Sequence, residues 1–584
     1  MDNSQLASLL NEICTLMELA GEDSFRSGAF ARAARTIETL PDSVAAKVKD
    51  GSLDTVPGLG KTLKETVTSL VHGGTCDQLD ELRAKTPPGL VQMLRIPGIG
   101  PKKVRAMHLE LAIDTLAQLK EACEAGKVAK LKGFGEKTQA KILEGLAFVE
   151  QSSERVRLDQ ALAVAEPLVA AICAMDGVRH AELAGSLRRR RETVKDIDIV
   201  ATVEDPKEAN AILEAFTRLP GVERVVGQGE TKASVVTKLG EGTKAIRINT
   251  DLRVVSTQAF PFALNYFTGS KEHNVALRQK AQSLGLKLNE YGLEGEAGQR
   301  KCKDERAIYK ALGLEYVEPE LRENTGEVQA ALEGKLPELV NIGQIKGVFH
   351  NHTTASDGIH TLEEMAEAAR ALGYQWLGIA DHSQSLTIAN GLTPARVKHQ
   401  WQEIERLNRQ WKDFRILKGT EVDILPDGTL DFDDDLLAGF DYVTASVHTH
   451  FNQPKEEMTA RIVRALENPY VTMLGHPTGR LLLRREAYAL DLETVLQAAK
   501  KHDKWVEINA NPMRLDLDWV HCRRARELGV GLVTNPDAHA ADELANTIYG
   551  VEVARRGWIG PKQLANTLDL DGVLGELEAR RKRA

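Results

Sequence analysis

Between Gly347 and His539 the chain sets out nine histidines and carboxylates in a fixed order. FHNHTTASDG supplies His350, His352 and Asp357, IADHS supplies His382, and KGTEVDIL supplies Glu421. His448 in SVHTHF, His476 in LGHPTGR, and Asp537 with His539 in NPDAHA complete the series. Nearly every member ends a short apolar or β-branched run: WLGIADH, YVTASVH, VTMLGH and VGLVTNPDAH each read as a buried strand closing on a ligand. Between them, LEEMAEAARAL and LETVLQAAKKH carry the spacing of amphipathic helices. Alternating strands and helices predict a parallel β/α barrel, whose chemistry gathers at the carboxyl ends of the strands. Residues 343–584 also hold 11 of the 15 histidines. Ligands so placed assemble a multi-metal site, which makes hydroxide available at neutral pH and hydrolyses phosphate esters.

On these nine positions residues 343–584 resemble the PHP domain, the polymerase-and-histidinol-phosphatase family of metal-dependent phosphoesterases. The resemblance implies three ions, Mn²⁺ or Zn²⁺. His350, His352, Glu421 and Asp537 would hold the first. Glu421, bridging, would join His448 and His476 at the second, and Asp357, His382 and His539 would hold the third. One departure is visible. The family usually has an acidic residue and Leu before the first His, where this chain has Val348 and Phe349. His360, His399, His450, His502 and His521 fall outside the pattern and read as surface or packing residues. Arg480 and Arg485 follow HPTG, where Arg suits a substrate phosphate and equally suits solvent.

A second carboxylate site lies upstream, in AGSLRRRRETVKDIDIV. Asp196 and Asp198 alternate with Ile197 and Ile199, so on a strand both carboxylates share one face. Asp251, in KAIRINTDLRVV, falls on a neighbouring strand by the same alternation. Three carboxylates on adjacent strands hold two divalent ions, which activate a 3′-hydroxyl and stabilise leaving pyrophosphate. Gly185 and Ser186 allow close backbone approach to a triphosphate, and the run of four Arg neutralises it. This segment is similar to the nucleotidyltransferase palm of family X DNA polymerases. The similarity implies that Asp196 and Asp198 bind both metals (Mg²⁺ or Mn²⁺), that Asp251 supports the catalytic one, and that Ser186 and Arg189 meet the triphosphate. Lys195 stands where that family commonly has Gly. YFTGSKEHNVALR, residues 266–278, matches the family's nucleotide-binding segment. There Tyr266 and Phe267 would face the sugar, Gly269 would admit the nucleotide, Asn274 would contact the base edge, and Arg278 the minor groove.

The first third repeats a third signal. TVPGLGKTL, RIPGIGPKKV and LKGFGEKTQ place Gly58 and Gly60, Gly98 and Gly100, and Gly133 and Gly135 before helix starts carrying Lys61, Lys102, Lys103 and Lys137. This is the helix-hairpin-helix pattern, whose backbone N–H groups face a DNA phosphate without reading sequence. The first copy also resembles the lyase domain of polymerase beta. Where the lyase-active enzymes have a Schiff-base Lys, this chain has Thr66, with Lys61 and Lys64 nearby, so recognition of a gap and its 5′-phosphate is expected rather than lyase chemistry.

A chain of 584 residues exceeds one core. The sequence divides into a gap-binding domain (1–85), a helix-hairpin-helix subdomain (86–155), a mixed-sheet palm (156–258), a nucleotide-binding subdomain (259–322), a linker that packs down before the barrel (323–342) and the PHP barrel (343–584). Residues 1–322 hold 45 basic and 45 acidic side chains, so DNA binding must rest on local clusters rather than net charge. Six scattered cysteines without CxxC fit free thiols in a reducing compartment. No apolar run reaches the ~20 residues a membrane helix needs. The expectation is a monomeric bacterial enzyme, cytoplasmic and nucleoid-associated, taking gapped or nicked duplex DNA and deoxynucleoside triphosphates. It would fill gaps, and its PHP domain would act as a 3′-5′ exonuclease, process 3′ ends or cut at abasic sites. The rival expectation is a nuclease for which the polymerase half is a DNA-binding platform.

Overall fold

A computed structural model of the chain describes residues 3–583 except 41–42, 57, 95, 97–98, 152–154, 241–244, 484 and 486. It forms two compact units, residues 1–154 and 155–584.

The first unit is helical. Helix α1 (Asn3–Ala20) buries Leu6, Leu10, Ile13 and Met17, a stripe spaced four, three and four residues, against Val67, Leu70 and Leu79. A second cluster gathers Met93, Val104, Met107, Leu119 and Ile142. Helices α2 (Lys61–Gly73) and α3 (Pro101–Leu111) are N-capped by Gly60 and Gly100, and neither has a side-chain cap. A glycine cap offers these helix starts no side-chain acceptor. Helix α4 (Glu136–Gln151) follows Gly133 and Gly135, whose φ values of 85° and 125° belong to glycine. Gly58 has φ 80°. Gly98 lies outside the described residues.

In the second unit a five-stranded mixed sheet is built from β1 (Val178–Leu183), β2 (Asp196–Val203), β3 (Val222–Gln228), β4 (Lys232–Leu239) and β5 (Ile246–Ser256), in the order β1-β2-β5-β4-β3. Only the central β2–β5 pair is parallel. Ile197, Ile199 and Ala201 bury one face under the helices Leu158–Cys173 and Ala209–Thr217. Next come α5 (Phe260–Thr268) and α6 (Lys271–Ser283). The stretch expected as a linker, 323–342, is packed. Its helix α7 (Glu327–Glu333) begins with a fully buried Glu327 that pairs with His273 at 2.6 Å, and Glu323 is buried too. This stretch therefore completes the preceding subdomain's polar core before the chain enters the barrel.

The barrel strands run in sequence order and are parallel throughout. Strands β6 (Gly347–Val348), β7 (Trp376–Ile379) and β8 (Arg415–Lys418) form one sheet. Strands β9 (Glu421–Asp423), β10 (Thr444–Ser446), β11 (Met473–Leu474), β12 (Trp505–Asn509) and β13 (Leu532–Asn535) form the other. Parallel bridges His382↔Glu421 and Asn351↔Ala538 join the two sheets' ends and close a distorted barrel. Phe349, Trp376, Tyr442 and Trp505 plug its interior, with Phe349 4.4 Å from Trp376 between ring centres. A methyl on Gly419 would lie 2.1 Å from the Tyr442 ring, so the plug requires glycine there. Helix α8 (Thr547–Arg556) lies against β12 and β13. Among the described residues no helix is long and apolar enough to cross a membrane.

Candidate metal centres and nucleotide site

Because each ligand follows a barrel strand or bridge, all nine sequence-derived positions converge at one end of the barrel. Glu421 is at the centre: its Oε2 lies 2.9 Å from His382 Nδ1, 3.3 Å from His350 Nε2 and 3.7 Å from His352 Nε2. Its Oε1 lies 2.8 Å from His476 Nε2 and 3.2 Å from His448 Nε2. Asp537 Oδ1 sits 3.2 Å from His352 Nε2 and 3.6 Å from His350 Nε2. Asp357 Oδ2 sits 3.4 Å from His539 Nε2 and 3.6 Å from His382 Nε2. Donor atoms within 4.8 Å of one another define three groups: His352, Asp357, His382 and His539; His350, His352 and Asp537; and His382, Glu421 and His448. His352 and His382 each enter two groups, a sharing the sequence did not suggest.

The donor set fits cations. His350 Nε2 and His352 Nδ1 are buried and have no hydrogen-bond partner, a cost a bound ion removes. Burial opposes the charge on His382, yet Glu421 and Asp357 raise its pKa to about 10. Burial likewise opposes ionisation of Glu421, but His350, His448 and His382 hold it well below the carboxylate range.

A second layer of residues went unnoticed in the sequence. Glu507 Oε1 lies 2.8 Å from His350 Nδ1, and its Oε2 accepts the His476 N–H at 2.7 Å. Asp423 Oδ1 lies 2.6 Å from His448 Nδ1. Such partners fix a ligand's tautomer and ring orientation. Asp423 was findable, since two residues beyond Glu421 on a strand puts it on the same face. Arg514 reaches Asp537 Oδ2 at 3.4 Å. Arg480 and Arg485 are committed to backbone carbonyls, of Arg514 and Gly479 respectively, at 3.0 Å. His360 accepts the Ala541 N–H at 3.1 Å and His521 pairs with Asp518 at 2.8 Å. Val348 and Phe349 are fully buried, Val348 in the barrel's main apolar core and Phe349 in the aromatic plug.

In the palm the parallel register sets Asp198 opposite Asp251, with Asp196 two residues away on the same face. Burial, then repulsion from Asp196 and Asp251, raises the Asp198 pKa to about 7. Burial and Asp251 also raise Asp196. Crowded carboxylates of this kind suit divalent cations. Lys232 Nζ, on β4, reaches Asp251 Oδ2 at 2.5 Å. Gly185, φ 62°, presses on Asp198: a Cβ there would lie 2.1 Å from Asp198 Oδ2. Ser186 occupies the same short turn.

The four arginines after it are engaged by acidic side chains. Arg188 pairs with Glu305 at 2.6 Å, Arg189 with Glu323 at 3.0 Å, Arg190 with Glu552 at 3.0 Å, and Arg191 approaches Glu323 at 3.9 Å. Arg189 also donates to the Thr268 carbonyl at 2.5 Å, beside Gly269, where a Cβ would meet its guanidinium at 3.1 Å. Tyr266 and Phe267 are half-buried and pack edge-to-face at 5.2 Å. Arg253 lies over the Phe267 ring at 4.2 Å. The Asn274 amide donates to the Tyr266 carbonyl at 2.7 Å, and exposed Arg278 donates to the Asn274 carbonyl at 3.3 Å.

Comparison with known proteins bears on both sites. Residues 263–323 match the DNA polymerase beta thumb, residues 349–511 the PHP domain, residues 1–76 a helix-hairpin-helix domain, and residues 90–147 a SAM-like helix-hairpin-helix tandem. The DNA polymerase/3′-5′ exonuclease PolX of Bacillus subtilis is 40% identical over 575 residues, covering 98% of this chain and 99% of that protein. The chain belongs to the PolX family. Probable phosphatases are similar over a smaller part. One from Thermoanaerobacter sp. is 29% identical over 231 residues, 37% of this chain and 89% of that protein. Another, from Acetivibrio thermocellus, is 31% identical over 204 residues, 33% of this chain and 80% of that protein. A PolX chain thus carries candidate metal groups in its PHP domain and a carboxylate triad in its palm.

Proposed function

We propose that the chain fills short gaps in duplex DNA by template-directed nucleotidyl transfer in its palm and shortens or cleans 3′ ends in its PHP domain. The carrying observation is the coexistence of two unlike donor sets, three carboxylates in the palm and nine converging histidines and carboxylates in the barrel, within a chain similar along 98% of its length to a DNA polymerase/3′-5′ exonuclease. Asp196, Asp198 and Asp251 would hold Mg²⁺ or Mn²⁺, which supply charge neutralisation to in-line phosphoryl transfer. Ser186, Arg189 and Gly269 would border the triphosphate, with Tyr266 and Phe267 beside the sugar. In the barrel the nine ligands would hold Mn²⁺ or Zn²⁺, with Glu507 and Asp423 orienting His350 and His448. The uncapped glycine-led starts of α2 and α3, with Lys61, Lys102 and Lys103, and that of α4 with Lys137, would take DNA phosphates. The working form would be a monomer on gapped or nicked DNA in a bacterial cytoplasm, divided along the expected domain boundaries.

A one-nucleotide-gapped duplex with a 5′-labelled primer, incubated with Mn²⁺ with and without nucleotides, tests the reading. Extension with nucleotides and shortening without them supports it. Shortening under both conditions would favour a nuclease on a silent polymerase fold.

A further inference from the structure

Helix α8 belongs to the barrel, yet one of its faces carries Tyr549, Glu552 and Arg556, spaced three and four residues apart, which addresses the palm. Tyr549 packs on the palm's apolar core. Glu552 is 3.0 Å from Arg190, whose backbone is left-handed at φ 57°, an arrangement a non-glycine residue holds only when its surroundings impose it. Arg556 is fully buried, and its Nη1 donates both to the Arg189 carbonyl and to Glu323 Oε1, the latter at 3.1 Å. The same Glu323 oxygen accepts from Arg189 Nε at 3.0 Å, and Arg189 Nη1 donates to Thr268 O at 2.5 Å. Arg556 is thus one bond from the turn that holds Gly185 and Ser186, and two from the Thr268–Gly269 backbone. Behind it, α8 rests on the strands that lead to the ligands, since a Cβ on Gly550 would lie 2.0 Å from Thr534 Oγ1 on β13.

We propose that Arg556 and Glu552, in the PHP domain, are positioning residues for nucleotidyl transfer in the palm. They fix the 184–191 turn so that Ser186 and the turn's backbone face the incoming triphosphate and Gly185 stays pressed on Asp198. Arg556 acts on the Arg189 main chain and on Glu323, and Glu552 on the strained Arg190. Neither residue touches a barrel ligand, so the barrel chemistry does not depend on them. The inference rests on the polymerase reading above.

The test is single-nucleotide insertion into a one-nucleotide gap by the full chain, comparing wild type with Arg556→Ala, Arg556→Lys and Glu552→Gln. Losing this contact loosens the triphosphate-binding turn, which weakens hold on the nucleotide in ground and transition states alike, so Arg556→Ala is expected to raise KM for the nucleotide about tenfold with kcat within about twofold. Arg556→Lys should recover part of that, and Glu552→Gln should raise KM less, without loss of melting temperature. Shortening of a single-stranded 3′ end without nucleotides should be unchanged in all three. Unchanged KM in both Arg556→Ala and Glu552→Gln overturns the inference, as does a parallel fall of insertion, shortening and melting temperature. Failure of the wild type to insert at all would instead strike the polymerase reading itself.

Discussion

Replacing Glu507 by Gln probes the barrel through a residue that touches no substrate. The carboxylate is buried on β12 and faces four donors. Its Oε1 takes His350 Nδ1 at 2.8 Å and Asn535 Nδ2 at 3.0 Å, while its Oε2 takes the His476 N–H at 2.7 Å and Asn509 Nδ2 at 3.1 Å. Burial disfavours its charge, but His350 keeps its pKa below the ordinary value, so it stays ionised. A glutamine of equal size must turn one N–H₂ group toward two of those donors, leaving buried groups unsatisfied at a cost of about 1–3 kcal/mol. His350 also loses the partner that fixes its tautomer, and outer partners of this kind are worth about 10–100-fold in metal affinity or activity. Mn²⁺ binding followed by the electron paramagnetic resonance of the free ion should therefore weaken about 10–100-fold at the barrel. Shortening of 3′ ends should need correspondingly more Mn²⁺, while gap filling stays as in wild type. Mn²⁺ affinity within twofold of wild type would refute the reasoning.

Three further outcomes follow from the packing. Phe349→Ala opens a cavity in the aromatic plug beneath His350 and should cost about 3–5 kcal/mol, read in denaturant unfolding of the barrel, with Phe349→Leu costing less. Glu323 is buried, which opposes its charge, but Arg189, Arg556 and Arg191 hold its pKa at about 2 against an ordinary 4.5. Because the folded value is the lower one, Glu323 contributes stability fully above about pH 4.5 that is lost as pH falls toward 2, on the order of 3 kcal/mol. Wild type minus Glu323→Gln melting temperatures should narrow across that window. Glu552 has the opposite sign: burial lifts it to about 7 despite Arg190, so its contribution declines as pH rises from about 4.5 to 7.

The ligands were legible because nearly all of them close an apolar run, and strand ends in a parallel barrel meet at one end whatever lies between them. Asp196, Asp198 and Asp251 were legible for a related reason: the two-residue strand period puts the first two on one face, and the apolar alternation around Asp251 marks the neighbouring strand. Glu507 was hidden, because WVEIN reads as a short apolar run in which one Glu looks incidental, and its partners are 157 and 28 residues away. The arginine run was legible as charge but not as contact. Its acidic partners Glu305, Glu323 and Glu552 lie far along the chain, and no local pattern announces them. In the stretch from 323, expected to pack down before the barrel, the polar first residues did not announce their partners: buried Glu323 pairs with Arg189 and buried Glu327 with His273.

The central claim is that one chain holds two separable chemistries. It is tested most directly by Asp198→Ala and His350→Ala side by side on the 5′-labelled gapped duplex with Mn²⁺. Asp198→Ala should abolish extension and still shorten the primer, and His350→Ala should extend and no longer shorten. Loss of both activities in either variant would contradict the account.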